Sequence, residues 1–294
     1  MPSVKREFSS KNKCVACHGQ LNFFGTRHSY TYKRCTTCGT IQLDPLPSFE
    51  HLKDAYISDY AKKGHYCLDP QQSLRANKPF YKAILLILIN NKLAEGRILD
   101  IGCGWGGLCY LLEQEGLEYI GVDLSQEEVR FCQSEGLNVV QGDINSFDAQ
   151  REIFSAITLI AVFEHIVDHD QLLMKAKRLL KPDGVLIILS PTARFASLAG
   201  RLFQLMTGRR ELPAFHKTFC PPWHPVLFSI EGLKSLIARY GMTIEKIIPS
   251  PSKSDKGIVG IVQKFATIMG RLGFSVKGEK WPFLISHIFL CRKK

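Results

Sequence analysis

The sequence predicts an α/β fold: a doubly wound, mostly parallel sheet with helices on both faces, preceded by a small cysteine-rich zone. Three observations predict it. From Arg97 onward, short apolar runs alternate with amphipathic segments, the pattern of successive βαβ units. The first of these runs opens into the glycine-rich turn Gly102-Cys103-Gly104-Trp105-Gly106-Gly107. Ahead of them stand two Cys-x-x-Cys pairs, Cys14/Cys17 and Cys35/Cys38.

In chain order, the cysteine quartet comes first. Its C-x₂-C-x₁₇-C-x₂-C spacing matches a ribbon built on a structural tetrahedral zinc, with Gly39 allowing the tight turn after the second pair. Four thiolates leave no open coordination position, so this zinc is expected to stabilise and not to catalyse. His18 could substitute for Cys17, but adjacent ligands make poor geometry. Residues 1–42 are therefore read as the ribbon, 43–96 as a helical leader, and 97–294 as the main domain. Within the main domain, strands are expected at Arg97–Ile101, Tyr119–Asp123, Asn138–Gln141, Ala156–Val162 and Val185–Ser190. Helices are expected at Gly107–Glu115, Gln126–Ser134 and Asp170–Leu180, the last stopped by Lys181-Pro182-Asp183-Gly184. A helix over Ile230–Tyr240 and strands near Thr243–Ile248 and Leu284–Leu290 complete the pattern. The connections 191–228 and 249–282 are long enough to be insertions on the acceptor side.

Composition bounds the class. The 294 residues are 45% hydrophobic and 22% charged, an ordinary globular balance. The most apolar run, Ala83–Ile89, is too short to span a bilayer, and the first residues carry no apolar signal core. A cytoplasmic location and unbridged cysteines are the corresponding expectations; Cys67, Cys103, Cys109, Cys132, Cys220 and Cys291 are read as mostly buried thiols. The net charge of +11 is uneven. Residues 193–294 carry 17 Lys/Arg against 5 Asp/Glu, and residues 1–38 carry 7 against 1, so the centre is acidic. Basic ends of this kind suit nucleic acid, an anionic membrane surface or a phosphorylated substrate, and equally a plain solvated surface.

The glycine turn is a nucleotide-binding signal whose ligand can be argued from charge. Asp100 lies two residues before the first glycine, and Asp123 ends the next strand, where a carboxylate can bind ribose hydroxyls. Gly107 satisfies the dinucleotide spacing, so spacing alone leaves NAD open. Residues 98–129, however, contain no Lys or Arg but five Glu and two Asp. A pyrophosphate would gain from nearby cations, whereas a sulfonium bearing an ammonium group favours an acidic turn. S-adenosylmethionine is thus the expected ligand.

ILDIGCGWGG, GVDLS at 121–125, QGDI at 141–144 and LKPDGVLIILSPT at 180–192 resemble the successive motifs of class I methyltransferases. The resemblance implies a Rossmann-like fold in which the backbone at Gly102, Gly104 and Gly106 underlies the methionine part, with Asp100 near its ammonium. It further implies that Asp123 holds the ribose diol, Leu124 packs on the adenine, Asp143 approaches the adenine amino group and Ile144 lies beside the ring. CTTCGTIQLDPLPSFEHLKDAYISDY resembles the leader of a zinc-ribbon subset that acts on sugars, quinone precursors and other small molecules. There Tyr56 and Tyr60, one helical turn apart, either cover the cofactor or pack on the core.

On the acceptor side, Ala161-Val162-Phe163-Glu164-His165-Ile166 resembles the Glu-His turn of ubiquinone-type O-methyltransferases. Some of those carry a further glutamate at the position of Ala161 and use it for a divalent metal; its lack here weakens a metal role. A hydroxyl acceptor calls for a base near neutral pH, and His165, His216 and His224 are the contenders, with Glu164 beside them. Alignment of a reactive sulfonium with its acceptor can supply much of the rate, so no base is obligatory. The segment 193–210 is amphipathic and basic, with 257–270 similar; each could be a lid, a contact with anionic membrane, or plain packing. The leading expectation is an S-adenosylmethionine-dependent methyltransferase of a small-molecule, sugar or lipid-linked acceptor, with O-methylation favoured. The alternatives are an RNA methyltransferase, disfavoured by the Glu-His turn and the leader, and a non-catalytic nucleotide-sensing interaction protein.

Overall fold

The computed structural model describes residues 12–55, 69–147, 153–212, 218–251 and 257–294. Tyr56, Tyr60, Cys67 and His216 lie outside the described residues. A seven-stranded sheet contains β4 (Ile98–Ile101), β5 (Tyr119–Asp123), β6 (Val139–Gln141), β7 (Phe154–Ile160), β8 (Leu180–Pro191), β10 (Met242–Pro249) and β11 (Ser286–Lys293). Its order is β10-β11-β8-β7-β4-β5-β6. The five strands from β4 to β8 are parallel, while β11 runs antiparallel between β8 and β10. The chain steps outward from β4 in both directions, to β5 on one side and β7 on the other, which opens a crevice beyond their carboxyl ends.

Strand alternation divides the apolar side chains between two layers. Leu99, Ile101, Ile157, Leu159, Leu186 and Ile188 face one core with α5 (His169–Leu179) and α7 (Ile230–Arg239). Ile98, Ala156, Val185, Ile187 and Leu189 face the other with α2 (Pro70–Asn90), α3 (Gly107–Gln114) and α4 (Gln126–Ser134). Each strand is apolar on both faces because helices cover both, the condition for a buried parallel sheet. Side-chain caps start several of these helices: Asp69 accepts from Gln72 N, Ser125 from Glu128 N, Asp168 from Gln171 N and Ser229 from Gly232 N.

The helix stop expected at Lys181–Gly184 is found, whereas the following strand starts earlier than the expected Val185. The helix ends at Leu179, and β8 already begins at Leu180, pairing with Phe154 before an irregularity that brings Ala156 opposite Val185. The pairing skips Lys181–Gly184, and β11 joins only from Val185, so the turn residues occupy the irregularity itself.

The cysteine zone folds as β1 (Leu21–Arg27), β2 (Tyr30–Cys35) and β3 (Ile41–Leu43), and it does not stand apart. β3 pairs with β9 (Val226–Leu227), extending the small sheet to four strands with a segment from the far side of the chain. A third apolar cluster fills the seam: Phe24, Tyr32, Ile41 and Leu43 meet Leu212, Phe219, Leu227 and Ala193 and Ala196 of α6 (Ala193–Thr207). Two further helices, α1 (Phe49–Ala55) and α8 (Gly257–Lys277), complete the architecture.

Candidate functional site

A cavity of about 430 Å³ lies at the carboxyl ends of β4, β5 and β7, a size suited to one nucleotide-sized ligand. The turn after β4 forms its floor. Gly102, Gly104 and Gly106 all have positive φ, at 67°, 53° and 70°, where side chains are strained. Their surroundings separate their roles. A Cβ on Gly102 would strike Val162 at 2.5 Å, and one on Gly106 would strike Cys132 and Leu137 at 2.8 and 2.9 Å. A Cβ on Gly104 would meet only Glu128 Oε2, at 3.6 Å. Gly102 and Gly104 line the cavity; Gly106 lies off its wall and lets α3 pack against α4.

Three carboxylates gather behind this turn. Asp123, buried at the end of β5, accepts from Gly104 N (2.8 Å) through Oδ2 and from Ser125 N (2.9 Å) through Oδ1. It thereby ties the glycine turn to the start of α4, while burial holds its carboxyl above the usual range. Asp100 sits beneath the turn, where it accepts from Thr158 Oγ1 at 2.6 Å; burial pushes it up to about 7. Glu128, on the inner face of α4, is pushed up to about 8, first by burial and then by the Asp123 charge. Its Oε2 is buried with no hydrogen-bond partner among the described residues. Glu128 escaped the sequence reading because one acid on an amphipathic helix looks like a solvated charge.

Leu124, Asp143 and Ile144 also line the cavity, next to the turn after β6. Asp143 caps the following short helix, accepting from Asn145 N at 2.7 Å. Phe80, Tyr81 and Asn77 of α2, Leu52 and Lys53 of α1, and Trp105 and Trp223 close the remaining walls. These walls come from the leader helices and from remote turns, which no local motif marks.

The turn after β7 carries the acceptor-side candidates. Ala161 has φ 55°, unusual for a residue with a Cβ, and it redirects the chain so that His165 reaches the cavity. Glu164 lies buried beneath, accepting from Ser190 Oγ at 3.0 Å, and burial pushes it up to about 7. His224, 59 residues further along, arrives beside it: the His165 and His224 rings lie 4.7 Å apart, edge to face. One ligand atom from each of Glu164, His165 and His224 falls within 4.8 Å of the others. His224 Nδ1 lies 3.0 Å from the Thr218 carbonyl, an acceptor only, so Nδ1 carries the proton and Nε2 keeps a lone pair. Burial lowers both histidines, His165 to about 3, and this keeps them neutral.

The four cysteines converge as their spacing suggests. All four Sγ atoms lie within 4.8 Å of one another, with Cys14–Cys38 at 3.7 Å and Cys17–Cys35 at 3.5 Å. A disulfide needs about 2.05 Å, and the thiols are free. Sulfurs at the corners of a tetrahedron about 2.3 Å from its centre stand roughly 3.8 Å apart, so the donor set fits zinc. His18 turns away toward Arg239, leaving the fourth corner to Cys17.

Comparison with known proteins agrees with this architecture. A methyltransferase-domain family model matches residues 60–247, nearly two thirds of the chain. The chain is 33% identical over 151 residues to a ubiquinone biosynthesis O-methyltransferase of Chelativorans sp. (strain BNC1), covering 49% of this chain and 52% of that protein. It is 34% identical over 99 residues to the cyclopropane-fatty-acyl-phospholipid synthase of Escherichia coli (strain K12), covering 31% of this chain and 25% of that protein. The chain thus spans about half the length, or less, of these curated relatives. Among solved structures, magnesium protoporphyrin IX methyltransferase from Synechocystis PCC 6803 with bound SAH superposes with a TM-score of 0.54 at 13% identity. That match covers 84% of this chain and 100% of the other, and it shows a shared fold. With the family model spanning the glycine turn, all five parallel strands and the Glu-His turn, the chain belongs to the methyltransferase-domain family.

Proposed function

We propose that the protein transfers a methyl group from S-adenosylmethionine to a small-molecule, sugar or lipid-linked acceptor, with O-methylation favoured. One observation carries the donor: Asp100, Asp123 and Glu128 are buried around a glycine turn, and Lys53 is the sole Lys or Arg among the described residues lining the cavity. Buried carboxylates without counter-cations suit a cationic ligand and repel a pyrophosphate. Asp123 has lone pairs left on both oxygens for a ribose diol, and Leu124 and Ile144 offer apolar surface to an adenine. Asp143, which lines the same wall, would meet the adenine amino group. Asp100 and Glu128 supply negative potential under the methionine end.

When bound, the donor supplies an electrophilic methyl on a sulfonium. The acceptor oxygen gains that methyl and loses its proton. Neutral His165, which lines the cavity, would be the base that takes it, with the His224 Nε2 lone pair beside it as the second candidate, and Glu164 beneath them would stabilise the resulting imidazolium. Exclusion of water by Trp223, Ile166 and the α2 wall strengthens these interactions. The lipid-linked option draws on the relatives, one named for ubiquinone biosynthesis and one for a fatty-acyl phospholipid. We further propose that Cys14, Cys17, Cys35 and Cys38 hold one structural zinc.

Titration calorimetry tests the donor. The sign follows from the raised carboxyls: near pH 7 Asp100 and Glu128 are partly protonated, and a cation favours their ionised forms. S-adenosylmethionine is therefore expected to release protons on binding and to gain affinity from about pH 6 to pH 8.5, more steeply than uncharged-sulfur SAH. Glu128→Gln should flatten that difference. Binding of NAD as tight as that of SAH would overturn the assignment. Gly104→Ala should weaken SAH binding about tenfold or more, since its Cβ would point into open space that a ligand must approach. Its melting temperature should fall by only about 2–4 °C, the equivalent of roughly 1 kcal/mol of backbone strain.

A further inference from the structure

Two helices border the carboxyl edge of the sheet, and both turn an apolar face outward. α6 leaves from the end of β8. α8 links the end of β10, where Pro249 pairs with His287, to the start of β11, where Ser286 pairs with Pro191. Both therefore spring from the edge that carries the glycine turn and the Glu164-His165 turn. Arg194, at the start of α6, donates to the carbonyl of Lys280 just beyond α8 at 2.9 Å and ties the two together.

α6 buries Ala193, Ala196, Ser197 and Gly200 and exposes Leu198, Leu202, Leu205 and Met206, the last two at 83% and 78%. α8 exposes Phe265, Ile268, Met269, Leu272 and Val276, a stripe at helical spacing. Single exposed apolar residues are ordinary, but nine large ones arranged as two helical stripes are a docking surface. Its charge is one-sided. Residues 193–210 contain four arginines and no acid, and residues 257–277 contain Lys264, Arg271 and Lys277 and no acid.

That combination selects the occupant. A second copy would bring cations against cations in a chain already at +11. A layer with anionic headgroups above an apolar interior matches both the basic border and the apolar stripes. We propose that α6 and α8 dock the protein on an anionic membrane, with the acceptor edge of the sheet toward the lipid. The docking gives a route for the lipid-linked acceptor and rests on the proposed function only in that respect.

Sedimentation with vesicles tests it. The wild-type protein should pellet with phosphatidylcholine vesicles containing about 30% phosphatidylglycerol and not with pure phosphatidylcholine. Binding should be lost near 0.5 M salt, where the screening length is about 4 Å. Leu205→Asp/Met206→Asp and, separately, Ile268→Asp/Leu272→Asp should each lower partitioning about tenfold or more. Each should keep its melting temperature and SAH affinity, so failure of the donor assignment would show as absent SAH binding in every form. The proposal is overturned if wild type stays in the supernatant, if it pellets equally with uncharged vesicles, or if the aspartate variants pellet like wild type. It is also overturned if the wild type is a dimer that Leu205→Asp/Met206→Asp dissociates.

Discussion

Asp123→Ala is expected to abolish measurable SAH binding, the largest effect of any single substitution in the cavity. The carboxylate serves two structures at once. Its oxygens already accept from Gly104 N and Ser125 N, which sets the glycine turn against the start of α4, and their remaining lone pairs face the cavity. Hydrogen bonds to a charged group contribute about 1.5–3 kcal/mol each. Losing two to a ribose diol would weaken binding by roughly 10²–10⁴-fold before any movement of the turn is counted. The protein should also lose about 2–4 kcal/mol of stability, because two backbone N–H groups lose their acceptor. Asp123→Asn separates the effects: one amide oxygen can retain a backbone bond and keep the turn, but the negative charge is gone. It should melt near wild type and still bind SAH poorly by calorimetry. Unchanged affinity in a folded Asp123→Ala protein would remove the cofactor assignment.

The parallel sheet was legible because each strand is a short apolar run closed by a turn signal, and four of the five came within two residues of their observed bounds. The order of the turns around the cavity was legible for a related reason. Asp100, the glycine turn, Asp123 and Asp143 follow one another along consecutive βα units, so local order reports spatial order. Glu128 broke that rule: its burial depends on how α4 packs beside Gly104, which no window of sequence contains. The Lys181–Gly184 signal did end the helix, at Leu179; what it hid was that β8 starts at Leu180, ahead of those turn residues. The acceptor side was the least legible. His165 and His224 meet only because the chain between them leaves the sheet, passes through α6 and returns beneath the ribbon. The cysteine spacing predicted a metal site but carried no information about what its strands would touch.

Those contacts give the second large prediction. Cys14→Ser/Cys35→Ser should release one zinc per chain and disorganise the acceptor side while leaving the cofactor side intact. The ribbon grips the segment that carries His224 at successive points. Tyr32 Oη donates to the His224 carbonyl at 3.3 Å, Leu43 N donates to the Pro225 carbonyl at 2.8 Å, and β3 pairs with β9 immediately after. Thr40 Oγ1, itself a partner of Cys38, accepts from Ser229 N at 3.2 Å, and Phe219 packs on Tyr32 with ring centroids 5.3 Å apart. A three-stranded unit this small has little core of its own and would depend on the proposed zinc, since metal binding in isolated zinc modules amounts to about 10–16 kcal/mol. A loss of even about 3 kcal/mol would lower the melting temperature by roughly 6–12 °C. Gly104 follows β4, and Asp123 and Glu128 stand on β5 and α4, none of which touches the ribbon sheet through strand pairing. SAH affinity should therefore stay within about threefold of wild type, while hydrogen exchange over 218–229 rises toward that of an unprotected chain. Acidification should act in the same direction, since protons compete with the metal for thiolates. Metal analysis of the wild type that finds no zinc would refute the ribbon assignment. Full protection of 218–229 in the zinc-free protein would show instead that the acceptor side holds His224 without it.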